Sequence, residues 1–134
     1  MMKRKASKSW VLISAVVAPL VAATASAQQP PVKRTILQTV DFPPGLTTVT
    51  YLAEVAPGSC SGRHTHPSIE TSYVIEGTML VKVAGKPDQT FKAGDSVQNP
   101  AGTPHDVCAA LGQTLKIISN QVVEKDKPLA TPVP

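Results

Sequence analysis

The chain has 134 residues, of which 42% are hydrophobic, 16% charged and 4% aromatic. That length suits one domain and excludes an enzyme with separate cofactor and substrate lobes, while the apolar fraction excludes wholesale disorder. The formal net charge of +4 points toward acidic partners only until its location is read.

Lys3, Arg4, Lys5 and Lys8 precede an apolar run from Trp10 to Ala23, which Pro19 interrupts, and the small residues Ala25-Ser26-Ala27 follow. A charged start, an apolar middle and an A-x-A site read as a secretory signal peptide over residues 1–27. The run is shorter than the ~20 residues of a spanning helix, so no stable membrane span is expected. Cleavage after Ala27 removes those four basic residues and no acidic ones, which leaves nine of each sign and no net charge. A basic-patch argument for nucleic acid then has no support. The expected location is periplasmic or secreted.

Gln28 to Thr35 reads as a loose N-terminal arm. Beyond it, nine short segments are rich in Val, Ile, Thr and Tyr: Ile36–Val40, Thr47–Val55, Arg63–His66, Glu70–Ile75, Thr78–Val83, Gln89–Lys92, Ser96–Asn99, His105–Ala109 and Thr114–Val123. Turn signals such as Pro43-Pro44-Gly45, Glu76-Gly77 and Pro100-Ala101-Gly102 separate them. Thirteen prolines and eight glycines fit this pattern and oppose a helical bundle. Short strands at such spacing predict an all-β sandwich or barrel over residues 36–123. Residues 124–134 carry three prolines and read as an extended tail, laid along the surface. Incompletely closed strand edges favour a homodimer.

His64 and His66 are spaced i, i+2, which on a strand aims both imidazoles at one face. Glu70 follows after a short turn, and His105 lies on a later strand. Three imidazoles and a carboxylate suit one divalent transition ion, Fe, Mn, Ni, Co or Zn. Gly58 to Gly77 contains His64, Thr65, His66 and Glu70 at fixed offsets between the two glycines, and Gly94 to His105 contains Pro100-Ala101-Gly102. Together these segments resemble the two motifs of the cupin superfamily, and more narrowly the quercetinase-like members. The second motif usually ends in Asn where this chain has Ala109, a position that is not a metal ligand.

The resemblance covers roughly Ile36 to Val123. It implies a small jelly-roll β-barrel whose metal ligands map onto His64, His66, Glu70 and His105. Four protein ligands on an octahedral ion leave about two positions for water, O2 or a ligand oxygen. The expected activity is that of a metal-dependent dioxygenase or related oxidoreductase on a small oxygen-rich molecule, with Glu70 as ligand or general base. The alternatives are a cupin isomerase or lyase, and a non-catalytic metal or small-ligand binding protein. Ser72, Met79 and Gln98 are expected to line the barrel near the site. Arg63 should point outward, which leaves the pocket without a strong anion clamp.

Cys60 and Cys108 are the two cysteines. An even count in an exported chain favours a disulfide. Strand parity opposes it, because Cys60 shares the parity of His64 while Cys108 opposes that of His105. Two buried thiols and a thiolate ligand to the metal are the other readings.

Overall fold

A computed structural model describes residues 31–134, so the signal-peptide reading of residues 1–27 lies outside the described residues. Ten strands occur in chain order: β1 (Val32–Val40), β2 (Leu46–Val55), β3 (His64–Thr65), β4 (Glu70–Glu76), β5 (Thr78–Val83), β6 (Gln89–Lys92), β7 (Ser96–Asn99), β8 (His105–Ala109), β9 (Leu115–Glu124) and β10 (Thr131–Pro132). They form two five-stranded sheets, β1-β2-β9-β4-β7 and β10-β3-β8-β5-β6. Every pair is antiparallel. No helix occurs among the described residues. The expected all-β jelly-roll barrel is the observed fold.

Two boundaries differ from the sequence reading. The arm expected over 28–35 is strand from Val32 onward, because Val32 to Thr35 pair with Val55 to Leu52. The tail is held as well. Thr131 and Pro132 pair with Thr65 and His64, and Val133 N–H donates to Arg63 O at 3.0 Å.

Alternation along each strand divides the side chains between interior and surface. β2 buries Val49, Tyr51, Ala53 and Val55, while β9 buries Leu115, Ile117, Ser119, Gln121 and Val123. Register then grades the interior. Val55 faces Leu115, and Ala53 faces Ile117, which in turn faces Val74. One level further, Tyr51, Ser119 and Ser72 are aligned, and beyond them Gln121 and Glu70. In the second sheet the same direction runs from Met79 and Ala109, through Val81 and Val107, to His105 and His64. Apolar packing therefore fills one end of the barrel and polar side chains fill the other.

The chain passes from the first sheet to the second through the single residue Gly77, whose φ is +82°. A methyl there would run into the carbonyl oxygen of Thr114 and approach Leu115 Cα at 3.2 Å. Both neighbours are backbone and cannot rotate away. Gly85, in the β5–β6 turn, has φ +76° and open space around it. The Gly85→Ala variant should cost only left-handed strain, about 1–2 kcal/mol. Gly77→Ala should lose clearly more stability in thermal unfolding, and equal losses would mean that the corner relaxes freely.

Candidate metal centre

β3 and β8 place His64 directly opposite His105. His66 follows β3, and Glu70 opens β4 after the Pro67-Ser68-Ile69 turn. All four side chains are buried, His105 to 1% exposure and His64 to 6%. The ring centroids are 4.5 Å apart for His64–His105, 4.8 Å for His64–His66 and 5.0 Å for His66–His105. One ring nitrogen from each lies within 4.8 Å of the others. That is the scale of one coordination sphere, whose imidazole ligands sit at about 2.1 Å. The structure thus brings together the three histidines singled out in the sequence.

Each Nδ1 is committed to the backbone. It lies 2.7 Å from Gly62 O in His64, 2.7 Å from Leu129 O in His66 and 2.9 Å from Thr103 O in His105. A carbonyl only accepts, so each Nδ1 carries the proton and each Nε2 keeps a lone pair. This second layer of contacts sets tautomer and ring orientation for a ligand. His66 Nε2 and His105 Nε2 have no hydrogen-bond partner although they are fully enclosed. Unpaired buried nitrogens are costly, and a cation between them removes the cost. His66 Nε2 also lies 3.1 Å from Glu70 Oε2. A lone pair facing a carboxylate at that distance calls for a proton or an ion. The donor set therefore fits a first-row divalent metal.

Charge follows burial and pairing. Burial lowers the pKa of His64 and His105 below the usual imidazole value, so both are neutral at pH 7. At His66 burial acts the same way, but the neighbouring Glu70 carboxylate overrides it and raises the value. Burial would raise Glu70, yet His66, Tyr51 and Asn99 together hold its carboxyl down at about 2. Tyr51 is pushed above its ordinary range by burial and by the Glu70 charge.

Three of these contacts come from residues that the sequence reading did not single out. Tyr51 O–H donates to Glu70 Oε1. Asn99 Nδ2 donates to Glu70 Oε2 at 2.8 Å, and Gln121 Nε2 donates to the Tyr51 hydroxyl at 2.9 Å. Their signal was available: polar residues at inward positions of strands that are otherwise apolar inside. Of the expected lining residues, Ser72 is buried and bonds Ser119 at 2.7 Å, and Met79 lies in the apolar core. Gln98 is corrected. It is exposed and bonds Thr71, because Asn99, not Gln98, has the inward parity of β7. Arg63 is exposed, as expected, and donates to Pro134 O at 2.9 Å.

Cys60 and Cys108 form a disulfide. The parity objection fails because the pairing slips by one residue. His64 faces His105, whereas Cys60 faces Cys108. The extra residue is taken up in Ser61-Gly62-Arg63, where Gly62 has φ +78°. This is the local solution that a β-bulge provides. Ser61 spans the slip: its hydroxyl donates to Asp106 Oδ1 at 2.9 Å and accepts from Val107 N at 3.0 Å. The oxidised pair offers no thiolate ligand.

The chain belongs to the cupin domain family, whose description, Cupin domain, matches residues 51–119. That span contains His64, His66, Glu70 and His105. No curated protein matches the sequence. Among solved structures, a cupin-like protein from Thermotoga maritima has a TM-score of 0.63 at 26% identity, covering 76% of this chain and 75% of its own. The DMSP lyase DddQ from Ruegeria pomeroyi has a TM-score of 0.56 at 19% identity, covering 64% of this chain and 43% of its own. The polyketide cyclase RemF from Streptomyces resistomycificus has a TM-score of 0.54 at 22% identity, covering 67% and 72%. The last two share the fold alone, and their different chemistries show that this fold does not select a reaction.

The disulfide closes a sequence separation of 48 residues and ties the segments that carry His64 and His105. In the chain-entropy account such a loop is worth about 4 kcal/mol. The double variant Cys60→Ser, Cys108→Ser should lower the Tm by at least about 10 °C by calorimetry. Reduced wild-type protein should match it. An unchanged Tm would show that the register holds without the covalent tie.

Proposed function

We propose that this chain is an exported, metal-dependent cupin enzyme, an oxidoreductase of dioxygenase-like type acting on a small oxygen-rich molecule. One observation carries the reading. Three buried imidazoles aim Nε2 lone pairs at one point while each Nδ1–H is tied to a carbonyl. His64, His66 and His105, with Glu70, would hold one ion of Fe, Mn, Ni, Co or Zn. When bound, the ion supplies Lewis acidity and a place for O2 or a substrate oxygen. Glu70 either binds that ion or takes a proton from the substrate at its carboxylate oxygens. The Tyr51 hydroxyl keeps Oε1 ionised by donating to it, and Gln121 orients Tyr51. Asn99 Nδ2 donates to Oε2.

A second reading has its own support. The site is closely packed: a cavity of about 20 Å3 reaches His64 and Glu70, room for roughly one water molecule. That favours a protein that holds a metal or a small ligand without turning it over. An isomerase or lyase would use the same ligand residues. Export and dimerisation belong to the same proposal. The disulfide supports an oxidising compartment. The first sheet ends on β1, which leaves Ile36, Leu37, Val40 and nearby Phe42 exposed, and a second copy would cover them.

Metal analysis of protein recovered from the exported fraction without a His-tag should find about one ion per chain. His64→Ala and His105→Ala should abolish it. Glu70→Gln should weaken metal binding or activity and leave the barrel folded by circular dichroism; unfolding would make the carboxylate structural. O2 uptake with enolic, phenolic or dicarbonyl compounds would support the oxidoreductase, and saturable binding without turnover would support the second reading. Light scattering should give the mass of a dimer, and a monomer would remove that part.

A further inference from the structure

β1 pairs with β2 so that Val32 faces Val55, Arg34 faces Ala53 and Ile36 faces Tyr51. Val55, Ala53 and Tyr51 are buried in the barrel. Residues directly opposite in an antiparallel pair share a face, so Val32, Arg34 and Ile36 share the barrel-side face of β1, although only Val32 is partly buried and Arg34 and Ile36 stay exposed at the edge. Arg34 belongs to this row but is itself exposed to solvent, so it is a cation at the rim of the site. It lines the small cavity with Tyr51, Ser61, His64 and Glu70, above an apolar floor that includes Val107 and Ile117.

The other cations nearby are spoken for. Lys33 pairs with Glu54 on the outer face, Lys116 with Glu76, and Lys125 with Asp41. Arg63 holds the chain end. None of the ion pairs among the described residues includes Arg34. Glu70 shares the cavity but is already engaged by Tyr51, Asn99 and His66. Arg34 therefore keeps its fork of N–H donors for something that enters from outside. The anion clamp that the sequence reading discounted, on the orientation of Arg63, is supplied by the start of β1, which that reading assigned to the N-terminal arm.

We infer that Arg34 anchors an anionic ligand at this site, and that the ligand is a small carboxylate-bearing molecule. A carboxylate is planar and matches the guanidinium fork with two parallel hydrogen bonds. The cavity has room for about one water, so the carboxylate sits at its mouth against the exposed Arg34, on the side of His64 and Glu70. The assignment of this ligand to the metal site rests on the function proposed above; the anion subsite itself rests on Arg34 alone.

Calorimetric titration of the full mature protein with acetate, malonate and succinate tests it, in metal-free and metal-loaded forms. Malonamide serves as the neutral analogue of malonate. At least one carboxylate should bind the metal-free protein, weaken with added salt, and exceed its neutral analogue by at least tenfold. Arg34→Gln should lose at least tenfold, Arg34→Lys should recover part, and Arg63→Gln should bind as wild type. Binding unchanged in Arg34→Gln, equal binding of malonamide, or no binding of any of the three acids would overturn the inference. If metal binding is absent while Arg34-dependent carboxylate binding persists, the metal reading fails and the anion subsite stands. If the metal binds and the anion preference is independent of Arg34, only the subsite fails.

Discussion

Three imidazoles can share one buried point only if each is prevented from turning away, and here the backbone does this. The carbonyls of Gly62, Leu129 and Thr103 each take the Nδ1 proton of one histidine. Two of these acceptors, Gly62 O and Thr103 O, lie two residues before the ring that they hold, in the turns leading into β3 and β8. The third comes from the tail, 63 residues away from His66. The site is therefore a product of main-chain placement, and anything that moves these carbonyls moves the ligands. This explains why an extended, Pro-rich ending is ordered: it pairs with β3 through Thr131 and Pro132 and delivers Leu129 O to His66.

The register between the β3 region and β8 comes next in importance. His64 must face His105, and the disulfide must close four residues before one and three residues after the other. A regular ladder cannot satisfy both, because side chains alternate with a period of two. The bulge at Ser61-Gly62-Arg63 reconciles them. Gly62 takes the left-handed backbone that the slip needs, and its carbonyl is the one that holds His64. One glycine thus serves the covalent tie and the ligand orientation at the same time.

Much of this was legible in the residues. The strands between Leu46 and Glu124, the turn glycines and the four motif residues could be read from alternation and spacing, since those patterns are local. What escaped was set by register. Val32 to Thr35 lack a strand signal of their own and become strand because Leu52 to Val55 offer an unpaired edge. Gln98 and Asn99 differ by one position, and only the pairing of Glu70 with Asn99 decides which faces inward. The disulfide was obscured for the same reason: a one-residue slip is invisible to a parity count. Tyr51 and Gln121 were readable as polar interruptions of apolar faces, but their partner, Glu70, is distant in the chain and joins them only through β9.

The graded interior shows how a small barrel carries so polar a site. Leu115, Ile117, Val74, Val81 and Met79 concentrate the apolar burial at one end. There each fully buried side chain contributes roughly 1.5–3 kcal/mol. At the other end nearly every buried polar atom has a partner: Ser72 with Ser119, Gln121 with Tyr51, and Glu70 with Tyr51 and Asn99. The atoms left over are His66 Nε2, His105 Nε2 and Gln121 Oε1. Two of these three are ring nitrogens that converge on one point. Those two unpaired nitrogens face the point where an ion would sit, and the neighbouring wall carries Arg34, which joins no ion pair among the described residues. The ligand set is common to many chemistries, so selection among them must come from such walls. In this barrel that wall is β1.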